Sequence, residues 1–156
     1  MNANLSLRRV ITHLNLGLRV EATTYPVVTA QNAVFNVVGG RILLHDILGV
    51  VTTDLQAAAL LLHWDADMDF GGDLALGVDS ADLTGDLIGT QYLLSAAPAG
   101  ALTVPAAGTF LRLFPALGYV VSAGALDLHA SAGNTGGIKW SCFYTPIDDA
   151  AYVEAA

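Results

Sequence analysis

From residue 16 onward the chain has no stretch in which apolar side chains recur every three or four positions; its apolar residues come in short runs broken by glycine. A helix can bury one face only when apolar positions repeat near 3.6 residues, whereas short runs rich in β-branched residues between turn formers suit strands. This pattern constrains the chain to an all-β fold. Candidate strands fall at 16–23, 33–38, 41–47, 49–53, 57–64, 74–78, 91–95, 109–114, 119–122, 125–130 and 137–145. Neighbouring runs merge or stay separate to give nine to eleven strands.

Three connections carry turn chemistry: Gly39-Gly40, Ala123-Gly124, and Gly133-Asn134-Thr135-Gly136-Gly137 ahead of the last strand. They predict hairpins. Many short strands with no helical pattern between them predict a β-sandwich, jelly-roll-like in its strand number. The first fifteen residues differ, because Leu7, Val10, Ile11 and Leu14 fall at helical spacing beside Arg8 and Arg9. The expected organisation is an N-terminal arm or short helix over 1–15 and a single sandwich domain over 16–156, closing in a proline turn at Pro146 and a small-residue tail. A chain of 156 residues buries about two thirds of its unfolded surface, so one core needs no disulfide or metal staple.

Composition narrows the partners. Charged residues are 13% of the chain, hydrophobic residues 54%, and the mean hydropathy is +0.56. That value raises a membrane span, and the uncharged segment 87–111 is long enough for one. Its Gly89, Gly100, Gly108, Pro98 and Pro105 would break the internally bonded helix that a bilayer demands, so no membrane is expected. The two arginines near the start also argue against a secretory signal over 1–15. Nucleic acid is excluded by the opposite shortage: six basic residues face fourteen acidic ones, the net charge is −8, and Lys139 is the single lysine. A surface so poor in charge predicts that identical subunits or a partner cover part of it, with the Ala- and Gly-rich stretch 96–108 packed at such a contact.

The most site-like stretch is His63-Trp64-Asp65-Ala66-Asp67-Met68-Asp69-Phe70-Gly71-Gly72-Asp73. Asp65, Asp67, Asp69 and Asp73 form a candidate calcium set, since alternating carboxylates of a curved loop converge on a hard cation. Phe70 stands where such a loop needs glycine, and Leu76 where it needs a closing glutamate. The competing reading is a half-buried strand with Trp64, Ala66, Met68 and Phe70 inward and the aspartates outward. The four histidines, His13, His45, His63 and His129, show no H-x-H or H-x-x-x-H spacing and read as structural, although His45-Asp46 and His63-Trp64-Asp65 each set a histidine near a carboxylate. Cys142 is the only cysteine, which excludes an intrachain disulfide and reads as a buried structural thiol. No nucleophile elbow, P-loop or dinucleotide fingerprint is present, so no enzyme, cofactor or catalytic residue is expected.

Two stretches resemble small virion proteins of tailed bacteriophages: Phe35-Asn36-Val37-Val38-Gly39-Gly40 followed by Ile47-Leu48-Gly49-Val50-Val51-Thr52-Thr53, and Ile138-Lys139-Trp140-Ser141-Cys142-Phe143-Tyr144-Thr145-Pro146. The resemblance implies a capsid decoration or cement protein on the outer surface of the virion head, bridging major capsid protein subunits as a homo-oligomer, a trimer rather than a dimer. Within it, Leu5, Leu7, Arg8, Arg9, Val10 and Ile11 are the expected contacts to capsid or neighbouring subunit. The alternative expectation is a carbohydrate- or receptor-binding module of a head fibre or tail, with its site at Trp64, Asp65, Asp67 and Tyr92.

Overall fold

Regular alternation builds the strands. The run Leu62–Met68 buries Leu62, Trp64 and Ala66 and leaves His63, Asp65 and Asp67 on the other side, so a strand here covers a core with one face only. The computed structural model describes residues 17–56, 58–94 and 118–156, and contains no helix among them. Its ten strands are β1 Leu18–Thr24, β2 Ala30–Val38, β3 Ile42–Thr53, β4 Leu62–Met68, β5 Leu74–Ala75, β6 Gln91–Leu93, β7 Tyr119–Val121, β8 Gly124–Ala130, β9 Gly137–Pro146 and β10 Tyr152–Ala155. The expected arm over 1–15 and the expected strand over 109–114 lie outside the described residues.

Two antiparallel sheets pack face to face. One runs β1-β9-β3-β6, with β7 also on β3; the other runs β10-β2-β8-β4-β5. Leaving out β7 and β10, the pairs β1–β9, β2–β8, β3–β6 and β4–β5 are nested, outermost with outermost. That is one long antiparallel ribbon rolled up, a jelly roll, and the β3–β9 and β4–β8 ladders close the roll.

The core sits between the sheets and centres on two indoles. Trp64 of β4 and Trp140 of β9 are fully buried and meet edge to face at 5.0 Å, with Phe35 stacked on Trp64 and Tyr92 tilted against Trp140. Such an aromatic pair adds about 0.5–1.5 kcal/mol beyond the area it buries. Gly49 makes room for it: it faces Trp140 across the β3–β9 ladder, and a Cβ there would lie 2.4 Å from the indole. This explains why 41–47 and 49–53, expected as two runs, form one strand. The glycine interrupts the apolar pattern without interrupting the ladder.

Two other expectations need correction. None of the three glycine-rich connections is a hairpin: Gly39-Gly40 joins β2 to β3, Ala123-Gly124 joins β7 to β8, and 133–137 joins β8 to β9, each time carrying the chain from one sheet to the other. The turn residues are used at corners. The small-residue C-terminal tail contains a further strand, because β10 pairs with β2, with Ala151 just before it and Val153 within it both buried. Arg41 ties this end together, donating through its backbone N–H and its guanidinium to Asp148. The double contact holds the Asp148 carboxyl down at about 2.

Candidate functional site

The β4–β8 ladder sets like beside like on the outer face of the second sheet. His63 pairs in register with His129, and Asp65 with Asp127, because both strands place these residues two apart and opposite the core-facing Trp64 and Leu128. The two imidazoles stack with centroids 4.3 Å apart and planes 11° from parallel. One carboxylate oxygen, Asp65 Oδ2, lies 3.0 Å from His129 Nε2 and 3.6 Å from His63 Nε2. Among the described residues this is the one group of three or more histidine, cysteine or carboxylate ligands whose atoms lie within 4.8 Å of one another.

A second layer orients the first. His63 Nδ1 lies 2.7 Å from Asp79 Oδ1, a carboxylate oxygen that accepts from it, and the contact turns Nε2 toward Asp65. Asp79 is held there by its neighbour, since Ser80 N donates to the Leu62 carbonyl while Leu62 N donates to Ser80 Oγ. Across the ladder, Gln31 of β2 donates to the buried Asp127.

The patch is strongly anionic. No lysine or arginine occurs between Arg41 and Arg112, and the described basic residues are committed elsewhere, Arg19 and Lys139 to Glu21 and Arg41 to Asp148. Asp67, one step along β4 on the same face, has its carboxyl raised chiefly by the neighbouring Asp73 charge, then by desolvation and by Asp127 and Asp69. Opposed carboxylates destabilise a ladder. The arrangement therefore favours whatever positive charge reaches it.

The four residues expected as one calcium set take two places: Asp65 meets the histidines, and Asp67 lies close to Asp73 and Asp69. Asp65 and Asp67 belong to the regular strand β4, and Asp69 and Asp73 lie beyond its end. The strand reading of this stretch holds as far as Met68. Phe70, expected inward, is instead in the turn and 84% exposed. The expected saccharide site does not assemble, because Trp64 and Tyr92 are both core residues. Cys142 is buried, and burial followed by the Asp46 charge pushes its thiol up to about 12. His45 contacts Thr145 on the first sheet, and burial lowers its affinity for a proton. The expected contacts Leu5, Leu7, Arg8, Arg9, Val10 and Ile11 lie outside the described residues.

No spacing within one segment joins His63 to His129, so the pair is not legible from either stretch alone. The sequence carries a mirrored pair, His63-x-Asp65 and Asp127-x-His129, which becomes a cluster only when two antiparallel strands align it. A second surface feature lies at the end of the sandwich where β1 and β3 finish and β9 begins. Tyr25, Leu87 and Ile88 are 65%, 62% and 66% exposed there, beside the exposed Val28. A groove of about 130 Å³ next to them is lined by Pro26, Val28, Leu128 and Ala130. The loops are fixed rather than slack: buried Asn134 accepts from Gln56 N and Gly136 N, and Asp54 accepts from Ile88 N. Comparison of the chain with protein-family models, curated proteins and solved structures gives no match.

Proposed function

We propose that this chain is a non-enzymatic docking module, and specifically a capsid decoration protein that binds the outer surface of a tailed-phage head and bridges major capsid subunits as a homo-oligomer. The observation that carries the reading is the apolar end of the sandwich: four exposed large side chains, Tyr25, Val28, Leu87 and Ile88, on loops tied by side-chain-to-backbone hydrogen bonds. A rigid apolar surface loses little conformational entropy on docking, which suits permanent attachment. The jelly roll supports the reading as an architecture shared by capsid and lectin domains, and by fold-level analogy alone. The saccharide-binding alternative has no comparable support, since its aromatic residues are in the core.

The test is imaging of phage heads assembled with and without the chain, paired with binding of the purified protein to expanded heads. Saturable density on the outer shell is expected, and the double variant Leu87→Asp/Ile88→Asp should weaken binding at least about tenfold, as loss of central apolar anchors does. Heads that bind no protein, or bind the double variant equally well, would overturn the reading.

A further inference from the structure

We infer that His63, Asp65 and His129 form a binding site for one divalent transition ion of the zinc class, which clamps β4 to β8 on the outer face of the second sheet. The donor set is two imidazole nitrogens and one carboxylate oxygen, which suits a borderline ion such as Zn²⁺ and not calcium, whose six to eight ligands are oxygens. The spacing fits as well. Two ligands each about 2.1 Å from a tetrahedral ion stand roughly 3.4 Å apart, and the two nitrogens lie 3.0 and 3.6 Å from Asp65 Oδ2. The ligand atoms of all three residues lie within 4.8 Å of one another.

Alignment separates a ligand set from an ordinary polar contact. His129 Nε2 is buried and 3.0 Å from the carboxylate, yet makes no hydrogen bond. Nitrogen and oxygen lie side by side without pointing at each other, as two ligands sharing an ion do. The Asp79–His63 contact supplies the carboxylate behind a metal-binding imidazole that fixes its tautomer. Asp127 and Asp67 add negative charge around the site with no described lysine or arginine to neutralise it. Three protein ligands leave a coordination position for water.

The experiment is titration of the tag-free, chelator-stripped chain with Zn²⁺, followed by calorimetry and by the histidine ring resonances in NMR. The expected result is one equivalent bound, ring signals of His63 and His129 shifted with His45 unmoved, no competition from Ca²⁺, and visible four-coordinate absorption when Co²⁺ replaces Zn²⁺. His63→Ala/His129→Ala should abolish binding, Asp79→Asn should weaken it about 10–100-fold as removal of a second-layer partner does, and His45→Ala should bind as the parent does. Should the double variant fail to fold, Asp79→Asn and the NMR shifts still decide. Zinc that binds without moving the His63 and His129 signals, or binds Asp79→Asn unchanged, would overturn the site.

Discussion

Asp46 shows what a single misplaced charge does to this fold. A bulge in β3 between Leu44 and Asp46 breaks the alternation, so Asp46 and Ile47 are both buried. Desolvation lifts the carboxyl to about 7, against the opposing effect of backbone N–H donors from Ile47 and Leu94. The folded state therefore holds a proton that the unfolded chain releases near 4. The contribution to stability is present below about pH 4 and is lost as pH rises through about 7. At 1.36 kcal/mol per unit, that loss is roughly 2–4 kcal/mol. Asp46→Asn keeps an acceptor for Ile47 N, 2.8 Å away, and does not ionise. Urea denaturation at pH 5 and pH 8 should show the variant gaining roughly 2–4 kcal/mol over the parent at pH 8. An unchanged difference between the two pH values would refute the buried-charge account.

Elements are legible where short apolar runs meet turn formers and illegible where topology decides. β8 and β9 are expected at 125–130 and 137–145 and occur at Gly124–Ala130 and Gly137–Pro146, because a short apolar run bounded by turn formers is a local property. The glycine turns were recognised and their use was not, since a hairpin and a sheet-crossing corner demand the same backbone freedom. β10 is only four residues long, too short to show a pattern, and the edge of β2 makes it a strand. The metal-ligand cluster was hidden for the same reason: its two halves lie more than sixty residues apart and meet only through the β4–β8 register. Gly49 is the opposite case, a residue whose role is fixed by one contact. Gly49→Ala drives a Cβ into the Trp140 ring, 2.4–2.9 Å from three of its atoms, and should cost about 1–3 kcal/mol by overpacking. Gly72→Ala, where a Cβ meets nothing within 4 Å, is the control and should stay within about 0.5 kcal/mol. Equal denaturation midpoints for the two would show that the indole is not wedged against β3.

For the molecule as a whole, the distribution of charge matters more than its sum. Of fourteen acidic residues, seven lie between Asp65 and Asp86, a span with no lysine or arginine, while the described ion pairs of Arg and Lys gather around Glu21 and Asp148. Folding brings Asp65 opposite Asp127 and Asp67 close to Asp73 and Asp69 on the second sheet, so self-repulsion opposes the native state more than the unfolded one. Salt screens such repulsion within a Debye length of about 30 Å at 0.01 M and about 10 Å at 0.1 M. The melting temperature should therefore rise as sodium chloride goes from about 10 to about 100 mM, by about 2–4 °C for each kcal/mol of repulsion removed. A fall over that range would mean that attractive ion pairs dominate instead. The zinc site sharpens the test, because an ion held by His63, Asp65 and His129 cancels charge at the centre of the acidic face. The zinc-loaded protein should melt higher at low salt and gain less from added salt than the ion-free protein. A salt response identical in the two forms would place the repulsion away from the β4–β8 face.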